Sequence, residues 1–145
     1  MNSIYNFHQV SGTLACAGQP TEEQLKQLAG EQYQVIINLA PNGGKFSLPD
    51  EAASVKTLGI AYCHIPVIFN NPQQSELDDF IDLMNLHCEK KVLVHCVANY
   101  RASAFTGLYF FKTGKLNKDQ TQAFIEDVWQ PDDIWQQFID EAMEG

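Results

Sequence analysis

Cys96 and Arg101 are separated by four residues, and His95 immediately precedes the cysteine. A cysteine at the end of an apolar run, then a tight loop, an arginine and a helix, is an arrangement that can hold an oxyanion against a thiolate. Backbone N–H groups of the loop and the helix N-terminus favour negative charge. The same field lowers a thiol pKa and makes the thiolate available as a nucleophile. Arginine adds a planar fork that matches tetrahedral oxyanions. A packed core cysteine beside a surface arginine would explain either residue alone, but not their ordered conjunction with a strand and a helix.

Several elements must position this pair. Val92, Leu93 and Val94 read as a buried strand that delivers Cys96 at its carboxyl end. A helix then runs from the loop to Gly114. Upstream, Leu14–Ala17 is a short apolar segment closed by Gly18-Gln19-Pro20. Thr21-Glu22-Glu23-Gln24 has capping-box form and opens a first helix with Leu25 and Leu28 on one face. Gln34–Leu39 and Ile60–Ile65 read as strands. A helix opened by Pro49 and ended by Gly59 lies between them. A further helix places Leu77, Phe80, Ile81, Met84 and Cys88 at helical spacing. Two more run from about Asn117 to Val128 and from about Asp132 to Met143. Alternation of this kind predicts an α/β fold with a mostly parallel central sheet of about four or five strands and helices on both faces. The site then belongs at the carboxyl ends of the strands.

Composition narrows the partners. The chain has 145 residues, consistent with one domain over 1–145, and a formal net charge of -9. Such acidity disfavours nucleic acid and anionic membrane surfaces. The N-terminus lacks the basic and apolar stretches of a signal peptide, and no apolar run reaches the length of a membrane span. Cys16, Cys63, Cys88 and Cys96 are irregularly spaced, forming neither a disulfide framework nor a zinc pattern. His8, His64 and His87 show no ligand spacing, so no metal or organic cofactor is expected. A reducing cytoplasm suits a free catalytic thiol.

The segment Val94-His95-Cys96…Arg101 resembles the signature loop of the cysteine-dependent tyrosine and dual-specificity phosphatases. Ala15–Thr21, Val35–Leu39 and Gly59–Val67 are similar to the bacterial beta-lactamase-hydrolase-like branch of that superfamily. The resemblance implies a phosphatase-like hydrolase acting on a phosphorylated small molecule or phosphoprotein. It assigns Cys96 as nucleophile, forming a cysteinyl-phosphate, and Arg101 as the clamp on two phosphoryl oxygens. The amides of Val97, Ala98, Asn99, Tyr100 and Arg101 would surround the remaining charge. His95 would fix the loop, and Ser103 would donate a hydrogen bond to the thiolate.

The loop differs from that family's in three respects. It has four residues between cysteine and arginine where the family has five. Asn99 takes the place of a glycine, a role its tolerance of positive φ allows. Ala102 stands where the family has serine or threonine, with Ser103 one position later. The stretch Pro66–Pro72, which would carry a general-acid aspartate, has no carboxylate. Asp50, Glu51, Asp78, Asp79, Asp132 and Asp133 read as solvated helix-surface charges. The shortened loop resembles that of rhodanese, which makes sulfur transfer through a Cys96 persulfide an alternative. A phosphate-binding module without turnover is another. Cys63 is a candidate resolving thiol if its strand adjoins that of Cys96. Trp129 and Trp135 read as core or rim aromatics, and Tyr100 must project from the loop.

Overall fold

The computed structural model describes residues 3–144. Five strands form the sheet: β1 (His8–Gln9), β2 (Leu14–Ala17), β3 (Val35–Asn38), β4 (Ala61–His64) and β5 (Val92–His95). Their spatial order is β1-β2-β5-β3-β4, and every pairing except β1 with β2 is parallel. The short antiparallel edge strand β1 was not expected from the sequence. Two residues show no periodicity, and their pairing to Cys16 and Ala15 is set by the turn that precedes β2.

Six helices cover the sheet: α1 (Glu22–Gly30), α2 (Glu51–Thr57), α3 (Gln74–Leu86), α4 (Tyr100–Lys112), α5 (Lys118–Glu126) and α6 (Asp133–Ala142). The three central strands β2, β5 and β3 are buried on both faces, and alternate residues serve different cores. Cys16, Ile37, Val92 and Val94 pack against Leu77, Phe80, Phe105, Ile125, Trp135 and Phe138 of α3 to α6. Ala15, Ala17, Ile36 and Leu93 pack against Leu25, Leu28 and Val55 of α1 and α2. The first helix has the expected reciprocal cap: Gln24 N–H donates to Thr21 Oγ1 at 3.1 Å, and Thr21 N–H donates to Gln24 Oε1 at 2.9 Å.

Some expectations need correction. Helix α3 ends at Leu86, so Cys88 lies beyond it and is exposed. Helix α2 starts at Glu51 rather than at Pro49, because the Asp50 side chain caps it by accepting from Ala53 N–H. Cys63 on β4 is separated from Cys96 by β3. The cysteine beside the loop is Cys16, on the directly adjoining β2. Met1, Asn2 and Gly145 lie outside the described residues.

Candidate active site

Strand β5 lies between β2 and β3, and all three end level: Ala17 and Asn38 both pair with His95. Two further bonds fix the exit. Leu39 N–H donates to His95 C=O at 2.8 Å, and Cys96 N–H donates to Ala17 C=O at 3.3 Å. Cys96 is therefore delivered by the centre of the sheet, where backbone on both sides restrains it. It is fully buried at the base of the loop.

The loop then turns through Asn99, which adopts φ 72°, ψ 7° and stands at the N-cap of α4. Asparagine is among the few non-glycine residues that visit this left-handed region readily. Its side chain adds an anchor, as Asn99 Nδ2 donates to Asn6 C=O at 2.9 Å. Asn6 Nδ2 donates in return to Ala98 C=O at 3.0 Å. Gln19 N–H takes Val97 C=O at 3.0 Å. With the Val97 and Ala98 carbonyls held from outside, the planar trans peptide turns the Ala98 N–H away from Gln19.

The first backbone bond of α4 runs from Ser103 N–H to Asn99 C=O at 3.0 Å. The N–H groups of Tyr100, Arg101 and Ala102 thus head the helix without a helical acceptor. Those of Val97 and Ala98 also lack a backbone acceptor among the described residues. Ser103 departs from expectation. Its hydroxyl donates to Tyr100 C=O at 3.1 Å, one turn back on its own helix, and not to Cys96.

Arg101 is 7 % exposed. One guanidinium nitrogen donates to Val67 C=O at 2.8 Å, and the group lies over the Phe69 ring at 5.6 Å. Its Nε is buried with no acceptor. A buried charged donor without a partner costs stability, and an incoming oxyanion would satisfy it. The segment after β4, which carries no carboxylate, therefore positions the arginine through a carbonyl and an aromatic face.

His95 is held by a residue read from the sequence as a solvated surface charge. Glu51, 5 % exposed at the start of α2, places Oε2 at 2.6 Å from His95 Nε2. Gln19 Nε2 donates to the other carboxylate oxygen at 2.8 Å. His95 Nδ1 lies 3.1 Å from Cys96 C=O. Both ring nitrogens are thus engaged, one by the Glu51 carboxylate and one by the Cys96 carbonyl. Burial pushes the Glu51 carboxyl up, but hydrogen bonding and charge from His95, with the Gln19 amide, outweigh it and hold the group below its ordinary value. Beside the loop, burial pushes the Cys16 thiol up to about 12, with Asn99 opposing and Cys96 adding to the rise. Cys16 is a thiol at neutral pH.

Aromatic rings close one flank. Tyr100 stacks on Trp129 with centroids 4.5 Å apart and planes 5° from parallel, and Phe69 contacts both. Trp135 is a core residue whose Nε1 donates to Phe69 C=O at 2.6 Å. Asp132 caps α6 by accepting from Trp135 N–H at 2.8 Å, and Asp78, Asp79 and Asp133 are exposed on helices. Asn6, Gln19 and Phe69 were given no role by sequence reasoning, and Glu51 was read only as a surface charge. Each acts across a long chain separation that local spacing does not encode.

The family model described as DSP-PTPase phosphatase fused to NAD+ kinase matches residues 7–129. The chain belongs to this phosphatase family. A beta-lactamase hydrolase-like protein of Xylella fastidiosa (strain Temecula1) is 30 % identical over 117 residues, covering 79 % of this chain and 27 % of that protein. The chain thus spans about a quarter of the length of the curated relatives it matches. A DUF442 protein of Shewanella putrefaciens CN-32 superposes with a TM-score of 0.87 at 37 % identity, over 97 % of this chain and 92 % of the other. The core catalytic domain of the PP-IP phosphatase of S. cerevisiae reaches a TM-score of 0.79 at 18 % identity, over 94 % and 85 %. At that identity the likeness is one of fold. Among the described residues no helix is long and apolar enough to cross a membrane.

Proposed function

We propose that the protein hydrolyses phosphomonoesters through a cysteinyl-phosphate on Cys96. The Cys96 thiolate attacks phosphorus. An S–P bond forms as the ester P–O bond breaks, and the leaving group departs with the electron pair. Water then attacks phosphorus, the S–P bond breaks, phosphate leaves and the thiolate returns. The Arg101 guanidinium and the unpaired amides of Val97, Ala98, Tyr100, Arg101 and Ala102 bind the equatorial oxygens, whose charge is spread in the transition state. His95, held by Glu51, fixes the Cys96 carbonyl and with it the base of the loop.

The observation that carries this reading is the buried, acceptor-free Nε of Arg101 on the helix whose leading amides are also unpaired, five residues after the cysteine. The segment that holds the arginine supplies no carboxylate to protonate the leaving group. Acid assistance is typically worth about 10²- to 10⁴-fold, so phenolic phosphates are turned over well ahead of alkyl phosphates. The natural substrate class is a phosphorylated small molecule or phosphoprotein.

The test is release of phosphate from p-nitrophenyl phosphate by wild type, Cys96→Ser and Arg101→Ala. Activity in wild type alone supports the proposal. Activity that survives in Cys96→Ser refutes it. Cysteine-dependent transfer of sulfur from thiosulfate to cyanide, without phosphate release, assigns the loop to sulfur chemistry.

A further inference from the structure

We propose that the protein has a ligand site separate from the nucleophile loop, at the opposite pole of the sheet, which binds a small organic carboxylate with a hydrocarbon body. The site is a cavity of about 480 Å³ at the starting ends of β2 and β5, where Leu14 and Val92 pair. That volume lies in the range of small-molecule sites. Cys96 leaves the finishing end of β5, roughly 10 Å of strand away, and neither it nor Arg101 lines the cavity.

The floor is apolar. Leu14, Met84 and Val92 reach it from the core, and Phe110 and Phe124 stand beside them as an edge-to-face pair with centroids 5.9 Å apart. Both rings are only partly buried, so hydrocarbon surface remains open to an occupant whose own apolar body would cover it.

The rim selects the charge. Lys90 and Lys115 line it and no carboxylate does, on a chain with 18 aspartates and glutamates. Neither lysine enters an ion pair among the described residues. Lys115 Nζ lies 5.8 Å from the Phe110 ring centroid, which holds an ammonium at the edge of the apolar floor. His87 also lines the cavity, and its Nδ1 is buried with no hydrogen-bond partner. A carboxylate oxygen would give it an acceptor. Lys91, Lys112 and Lys118 flank the same pole, at the start of β5, the end of α4 and the start of α5, and add positive potential there on an otherwise acidic chain. Helices α3 and α4 both finish beside the cavity. The partial negative charge of helix C-termini weighs more heavily against a phosphoryl dianion than against a single carboxylate charge.

Cys88 reports occupancy, because its thiol is exposed and lines the cavity. Octanoate should slow the reaction of Cys88 with iodoacetamide in a saturable way, measured on the Cys88 peptide by mass spectrometry. Octylammonium and inorganic phosphate should not. Lys90→Gln combined with Lys115→Gln should raise the octanoate midpoint about five-fold or more, the scale for two partly exposed ion pairs. The melting temperature and the rate on p-nitrophenyl phosphate should stay those of wild type. Equal protection by octanoate and octylammonium, protection by neither, or a midpoint unmoved in the lysine variant overturns the proposal. Inorganic phosphate protecting as well as octanoate would leave a bare anion site and refute the apolar half. Protection that grows with protein concentration in the absence of ligand would give the surface to a second copy of the chain, and refutes it too. Cys96 takes no part in this readout, so the outcome is independent of the phosphomonoester reading.

Discussion

Glu51 and His95 form a buried pair 44 residues apart in sequence, with Oε2 and Nε2 2.6 Å from each other. It joins the N-terminus of α2 to the base of the nucleophile loop. Removing one member strands the other. Glu51→Ala should destabilise the protein by about 3–5 kcal/mol, the range for breaking a buried pair. Glu51→Gln should cost about 1–3 kcal/mol, because one amide edge cannot accept from both His95 and Gln19. Urea midpoints for the three proteins measure both. A loss below 1 kcal/mol in Glu51→Ala would show that the pair contributes little.

The same carboxylate predicts a pH dependence. Its folded-state pKa lies below the ordinary 4.5. Its contribution is therefore fully present above the ordinary carboxylate range and is lost as pH falls through the lowered value. The stability difference between wild type and Glu51→Gln should be constant from neutral pH to about 5 and shrink below it. Denaturant unfolding at stepped pH values checks the sign. A difference that widens on acidification would contradict it.

Gly18 passes too close to the loop to carry a side chain. A Cβ there would meet Val97 O at 2.6 Å and Tyr5 O at 3.0 Å, and both are backbone atoms. Gly18→Ala must therefore displace the segment that presents the amides, and misplacement by about 1 Å can cost about 10²-fold in rate. Hydrolysis of p-nitrophenyl phosphate should fall by that order, with little change in the rate of alkylation of the exposed Cys88 as an internal control.

Asn99 combines a left-handed backbone with a side-chain tether to Asn6. Asn99→Gly keeps the conformation and loses the tether, whereas Asn99→Ala loses the tether and adds strain of about 1–2 kcal/mol. Thermal denaturation should rank wild type above Asn99→Gly and Asn99→Gly above Asn99→Ala. An alanine variant as stable as the glycine variant would mean that the turn is not strained.

Arg101→Lys should not substitute for arginine. A lysine ammonium is a single point of charge and cannot hold Val67 C=O and two phosphoryl oxygens at once. Phosphate release should fall by more than ten-fold, near the level of Arg101→Ala, with a small stability change.

The chain wrote the centre of this site plainly. The Val92–Val94 run, the Cys96–Arg101 spacing and the following helix are local, and each is signalled by hydrophobic order or turn chemistry. The left-handed role of Asn99 followed from its residue type in a tight turn. The supports were not legible. Glu51 follows a helix-capping Asp50 after a loop rich in Gly and Pro, where a carboxylate ordinarily faces water, and only the fold brings His95 to it. Ser103 was misread because a helix interior offers its hydroxyl a carbonyl one turn back. Cys63 was a candidate neighbour only on the condition that its strand adjoins β5, which local spacing does not settle. The crossover places β3 between them and brings Cys16 alongside.

The reciprocal amide clasp between Asn6 and the Ala98–Asn99 turn has a temporal consequence. Its two bonds span 92 and 93 positions, and closures of that length come at high entropic cost and are slow. A nascent chain leaving the ribosome has the clasp's first half long before its second. The loop that follows Cys96 is consequently held in its final turn only after both ends of the sheet have met.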